Sequence, residues 1–109
     1  MKTQNKVQLI GYVGNEPQVK LLFNGSKMTT LRVATNHFTK TSEGETIKST
    51  AWHQVVAWDT KADLAQQNFC QGSHILIEGY LAYRNFVDST GITRQVTEIH
   101  ALHFLNLDR

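Results

Sequence analysis

Apolar and polar residues alternate with a period of two through most of this chain, and only one stretch changes to a helical period. Period two places successive side chains on opposite faces of an extended strand. Residues 5–13 set Val7, Leu9, Gly11 and Val13 against Lys6, Gln8, Ile10 and Tyr12, with Gly11 a natural place for a sharp bend. After the turn Gly14-Asn15-Glu16-Pro17 the run continues over residues 18–23. Residues 28–39 open after Asn24-Gly25 and set Leu31, Val33 and Thr35 against Thr30, Arg32, Ala34, Asn36 and Phe38. Residues 49–58 and 73–86 follow the same rule, the latter with Ile75, Ile77 and Leu81 on its apolar face. Residues 92–105 shift phase between Val96 and Ile99, which predicts a bulge there. Residues 39–46 form a polar loop, expected to be the most mobile segment.

The helical stretch covers residues 60–70, between the third and fourth strands. Thr60 with Asp63 resembles a capping box, Leu64, Ala65 and Phe69 form an apolar stripe, and Gly72 lies where a helix stops. Cys70, at its end, reads as a small residue facing the core. The expected class is therefore all-β with one helix. Five strands with a helix between strands 3 and 4 is the order of the OB-fold, a five-stranded Greek-key barrel whose helix plugs one end. At 109 residues the whole chain, 1–109, reads as a single domain with no repeat or linker.

The outward faces carry the chemistry. Trp52 and Trp58 share a face with Gln54 and Val56, while the compact Ala51, His53, Val55 and Ala57 take the side that suits a tightly curved interior. Arg32 and Phe38 share a face of the preceding strand, and Arg84 and Phe86 share a face of the fourth, just before the turn Asp88-Ser89-Thr90-Gly91. A ring beside a cation suits single-stranded nucleic acid, because the ring stacks on any base while the cation meets a phosphate. The structural alternative packs both tryptophans beneath a neighbouring strand or a second subunit. Three strands with the same motif favour the exposed platform.

Other classes find little support. The net charge of +2 and pI of about 8.8 are only mildly basic. No apolar stretch is long enough for a membrane span, so no membrane partner is expected, and the start Met1-Lys2-Thr3-Gln4-Asn5 lacks a secretory core. A single cysteine fits a reducing compartment. His100 and His103, three apart on a strand, point to opposite faces and suit no single metal ion. No nucleophile elbow or phosphate-cradling glycine motif occurs, so a binding protein with no catalytic residue, metal or cofactor is expected.

Segments in order along residues 5–105 also carry a family resemblance: Asn5-Lys6-Val7 with Gly11, Gly14-Asn15-Glu16-Pro17-Gln18-Val19-Lys20, Asn24-Gly25, Ala34-Thr35, Trp52-His53-Gln54-Val55-Val56, Gly72-Ser73 and Ile77-Glu78-Gly79. The chain resembles the bacterial-type single-stranded DNA-binding proteins. The resemblance implies a cytoplasmic, nucleoid-associated homotetramer of OB-folds that binds single-stranded DNA without sequence preference in replication, recombination and repair. It also implies base stacking at Phe38, Trp52, Trp58 and Phe86, with Phe at 38 and 86 and Trp at 58 exchanged relative to the best-known members. Lys20 and Arg84 match phosphate-holding positions, Lys40 and Lys48 fall in or beside the flexible loop, and Arg32 joins them by its place beside the rings. Other family cations lack counterparts at Gln71, Ala82 and Asn85. His53 matches a histidine associated with subunit assembly.

The family pattern continues into a flexible linker and an acidic tip that recruits replication and repair enzymes, whereas this chain ends Leu107-Asp108-Arg109. Either the sequence is a piece of a longer chain, or the protein is a short, tailless relative, in which recruitment by that route is not expected. The competing expectation is a dimeric primosome-type relative of the same fold, an interaction protein that touches DNA weakly.

Overall fold

A computed structural model describes residues 2–108; Met1 and Arg109, the ends of the domain read from the sequence, lie outside the described residues. Strands β1 (Val7–Val13), β2 (Gln18–Leu21), β3 (Lys27–Lys40) and β4 (Thr46–Trp58) precede the helix α1 (Thr60–Asn68), and β5 (His74–Val87) and β6 (Thr93–Asn106) follow it. The first strand of the expected barrel is thus split by the Gly14–Pro17 turn into β1 and β2, which share β3 as a partner. The sheet runs β1-β5-β6-β4-β3-β2 and closes through the β1–β3 pairing. β4 and β6 meet in parallel at Val55–Ile99 and Val56–His100, the Greek-key contact. The all-β, one-helix barrel expected of an OB-fold is what forms.

Closure needs β1 to leave β5 and cross β3. A Cβ on Gly11 would stand 2.2 Å from the Ala34 carbonyl oxygen, so only glycine permits the crossing. The inward residues of the alternating pattern fill the barrel: Val13, Leu31, Val33, Val55, Ala57, Ile75, Ile77, Ile99 and Ala101 are buried, with Ala65 and Phe69 closing the end from α1. Each buried Val, Leu, Ile or Phe side chain among them contributes about 1.5–3 kcal/mol. Thr29, buried under the helix, donates its hydroxyl to the Ala62 carbonyl.

Several local expectations change. The capping box does not form: Asp59 precedes the helix without a side-chain cap, and its Oδ1 accepts the Lys27 amide instead. Helix burial falls on Ala62, Ala65 and Phe69, while Leu64 and Cys70 are exposed, because the helix sits across the barrel end on its small residues. The bulge lies at Leu102 of β6, where the register passes from Glu78–His103 to Gly79–Ala101; it turns Phe104, rather than His103, toward the core. Leu81 is exposed because it lies past Gly79, where the pairing of β1 on β5 ends.

Both long hairpins outrun the barrel. The radius of gyration is 16.1 Å, against about 13 Å for a compact chain of this length. Residues 36–50 and 83–97 supply the excess: two ribbons, from β3–β4 and β5–β6. The second ends in a locked turn, where the Asp88 carboxylate accepts bonds from the Thr90 amide and hydroxyl, the Ile92 amide and Arg94 Nε. These bonds hold the Asp88 carboxyl well below the usual carboxylate range. No helix among the described residues is long and apolar enough to cross a membrane.

Candidate nucleic-acid interface

The register of β3 on β4 turns the alternating pattern into rows. Met28 faces Trp58, Thr30 faces Val56, Arg32 faces Gln54, Ala34 faces Trp52, Asn36 faces Thr50 and Phe38 faces Lys48, all on the outward side. From Met28 to Phe38 the rows run about 33 Å at the rise of an antiparallel strand. β2 extends the first row, since Lys20 pairs with Met28, giving Lys20, Met28 and Trp58 in line across three strands.

Trp52 is half exposed, and the Arg32 guanidinium lies over its ring at 4.6 Å. Arg32 thus meets Trp52 across the strand pair, and Phe38 meets Lys48. The indole edge rests against Gly14, where a Cβ would come within 2.3 Å of Cζ3. Phe38 is 61% exposed, far out on the ribbon, and Lys40 closes it opposite Thr46. Val56, on the same face as the tryptophans, is buried where β4 is flanked on both sides in the sheet, by Thr30 of β3 and His100 of β6.

Trp58 lies in a second neighbourhood. A hollow of about 470 Å³ is lined by Lys20, Leu22, Met28, Trp58, Ala82, Tyr83, Arg84, Glu98 and His100, so the fold brings Lys20, Trp58 and Arg84 to one place. Arg84 sits 5.8 Å from the Phe86 ring centre, the pairing that alternation predicted. Its charge is matched from within the fold: Nε and Nη2 donate to Glu98 Oε2 at 3.2 and 3.1 Å, and the Glu98 side chain is only 6% exposed. Glu98 Oε1 stands 3.5 Å from His100 Nε2, and the His100 ring lies between Trp58 and Tyr80 at 6.3 and 5.4 Å.

Glu98 and His100 are absent from the sequence-derived site. Counting back from the Asp88–Gly91 turn pairs Arg84 with Val96 and sets Glu98 on the diagonal, so the register of that hairpin was the available signal. His53 faces away from the tryptophans, as its parity requires, and its Nε2 lies 2.9 Å from the Thr35 hydroxyl. Burial pulls its pKa below the ordinary histidine value. The predicted residues therefore divide into three groups: Arg32 with Trp52, Phe38 with Lys48 and Lys40 along the first ribbon, and Lys20, Trp58, Arg84 and Phe86 at the second.

Comparison with known proteins finds relatives of the whole fold. The profile of the Single-strand binding protein family matches residues 4–107. The Single-stranded DNA-binding protein 1 of Chlorobaculum tepidum is 38% identical over 96 residues, covering 87% of this chain and 59% of that protein. The Single-stranded DNA-binding protein of Xylella fastidiosa is 37% identical over 97 residues, 89% of this chain and 59% of its own length. The chain thus spans 59% of the length of these curated relatives. Among solved structures, a Plasmodium falciparum SSB complex with ssDNA superposes with a TM-score of 0.86 at 33% identity, over 99% of this chain and 98% of that one. A Thermus aquaticus single-stranded DNA binding protein deletion mutant shares the fold, with a TM-score of 0.82 at 21% identity, over 96% of this chain and 51% of that one.

Proposed function

This chain belongs to the single-strand binding protein family, and from that premise we propose that it binds single-stranded DNA without sequence preference and shields it during replication, recombination and repair. The observation that carries the proposal is the row of exposed rings with cations beside them: Arg32 over Trp52, Arg84 by Phe86, Lys48 opposite Phe38 and Lys20 in line with Trp58. Trp52, Trp58, Phe38 and Phe86 stack bases, while Lys20, Arg32, Lys40, Lys48 and Arg84 meet phosphates. Arg84 can do so through Nη1, since its bonds to Glu98 use Nε and Nη2. No chemical step is involved, and the site requires no metal or cofactor.

A strand of DNA carries a base and a charge at every step, so a track that offers ring and cation alternately gains from both without reading an edge of the base. The two ribbons give this track its length. A duplex, with its bases already stacked on one another, gains only the electrostatic part.

The protein assembles, in this proposal, as a homotetramer at the nucleoid in the cytoplasm. Support comes from β1, which pairs with β5 from Val7 to Tyr12 but with β3 only at Tyr12 and Val13, leaving one edge of Val7 to Gly11 without a strand among the described residues. Ile10 and Tyr12 add exposed apolar surface on the same strand. His53 contributes to the contact between subunits.

The decisive experiment is intrinsic tryptophan emission during titration with oligo(dT), because Trp52 and Trp58 are the only two indoles of the chain. Strong quenching is expected, with Trp52→Ala and Trp58→Ala each weakening binding by about 1–3 kcal/mol. Unchanged emission at saturating oligonucleotide, together with variants that bind like the wild type, would remove the platform.

A further inference from the structure

Phe23 stands out: its relative exposure of 113% is the highest of any large apolar residue among the described residues, ahead of Leu21 at 70%. It sits on the turn that joins β2 to β3, outside both long ribbons. We propose that Phe23 is a further base-stacking ring, which carries the DNA strand past Trp58 onto the β2–β3 turn; the proposal rests on the single-stranded DNA reading above and extends its binding track.

A single exposed ring is ordinarily unremarkable surface. Three features set this one apart. The turn is built rather than loose: the Leu22 amide donates to the Ser26 carbonyl at 2.8 Å, the Gly25 amide to the Leu22 carbonyl at 2.9 Å, and the Ser26 amide to Asn24 Oδ1 at 3.0 Å. Gly25 supplies the positive φ of 88° that such a turn demands. A ring on an ordered backbone loses less freedom when something stacks on it.

The surroundings then select the occupant. The hollow beside Phe23 is lined by Lys20, Leu21, Leu22, Phe23 and Asn24, with one cation and no acid among them. That suits a flat apolar group attached to an anion, as a base is to its phosphate. The hollow also adjoins the platform, because Lys20 and Leu22 line the Trp58 hollow as well. Through Met28, Lys20 stands two strands from Trp58, about 10 Å at the usual strand spacing, and Phe23 follows three residues later. The phosphate held by Lys20 would lie between a base on Trp58 and a base on Phe23. Alternation does not fix the ring on the far face, since β2 ends at Leu21.

The test moves the reporter. A Trp52→Phe, Trp58→Phe, Phe23→Trp variant holds one indole, at position 23, and keeps rings at both platform sites; oligo(dT) should quench it. In the otherwise unchanged chain, Phe23→Ala and Phe23→Leu should each weaken binding of long oligo(dT) about fivefold or more, Phe23→Tyr should not, and the shortest oligonucleotide that binds should be held equally well by all. An indole at 23 whose emission ignores bound DNA would overturn the inference. So would wild-type affinity in Phe23→Ala while Trp52→Ala binds weakly, an outcome that leaves the single-stranded DNA reading intact. A Phe23→Ala variant that instead lowers the mass seen by light scattering would make the turn an assembly contact and reject stacking. Should the triple variant fail to fold, the Phe23→Ala titration decides alone. A wild-type chain that ignores oligo(dT) entirely would remove the DNA reading and this extension of it together.

Discussion

Trp52 packs its indole edge directly onto Gly14, so closely that a single added methyl group at position 14 would meet Cζ3 at 2.3 Å and Cη2 at 2.7 Å. Gly14 has no positive φ to protect, so space is its whole requirement. Gly14→Ala should therefore tilt the indole away from Arg32 and cost about 1–3 kcal/mol through overpacking. The expected result is a shifted emission spectrum and weaker oligo(dT) binding, read in one titration. An identical spectrum and affinity would mean that the ring finds room at no cost, and that Gly14 does not set its pose.

The two cations at the Trp58 hollow should respond differently to salt. Each phosphate neutralised on a single strand contributes about 0.7 to the slope of log affinity against log salt. Lys20→Ala should lower the slope by about that step. Arg84 shares its charge with Glu98, so Arg84→Ala should lower it by less. Equal steps for both variants would show that Glu98 does not offset Arg84.

Arg84 should matter more for folding than for charge. Removing it leaves the buried Glu98 carboxylate with His100 as its remaining partner within reach. Leaving a buried charged group short of hydrogen bonds costs about 1–3 kcal/mol or more. Urea denaturation of Arg84→Ala should show that loss, and Arg84→Ala with Glu98→Gln should recover part of it. Wild-type stability in the single variant would mean that water replaces the guanidinium without cost.

His53 predicts a pH dependence whose sign follows from its burial. Its folded pKa is depressed below 6.5, so the unfolded chain takes up a proton first as pH falls. The stability this histidine contributes is fully present above about pH 6.5 and declines as pH drops from there toward the folded pKa. Melting measured at pH 7.5 and 5.5 should fall more for the wild type than for His53→Gln. Parallel behaviour of the two would assign the pH dependence to other groups.

Assembly supplies the last measurement. Light scattering of the wild type should give about four times the chain mass, as closed symmetry of paired dimers requires. His53→Lys, which places a fixed charge beside Thr35, should shift the protein toward smaller species. That variant should lose affinity for long DNA when dilute and regain it when concentrated, because linked sites are lost and restored with assembly. A wild type that scatters as a dimer at every concentration would favour the primosome-type interaction protein.

Alternation alone determined the faces. Leu31, Val33, Val55, Ile75 and Ile77 went inward and Arg32, Phe38, Trp52, Trp58, Arg84 and Phe86 outward, because an extended chain leaves no other choice once one residue is placed. The helix between β4 and β5, and the Gly-rich turns, were legible for the same local reason. What alternation does not contain is how far each strand outlasts its neighbour, which residue faces which across a strand pair, and which outward residues are flanked by strands on both sides. So Leu81 came out exposed beyond the last pairing of β1 on β5, Val56 was buried beside β6, and the expected bulge moved to Leu102, where the closing strand meets Gly79. Arg32 found Trp52 and Arg84 found Glu98 by register, a quantity set by barrel closure. Gly14 under Trp52 joins residues far apart in the chain, and Gly11 can be read as a crossing point only once Ala34 lies against it. Local physics chose the faces, and long-range packing chose the neighbours.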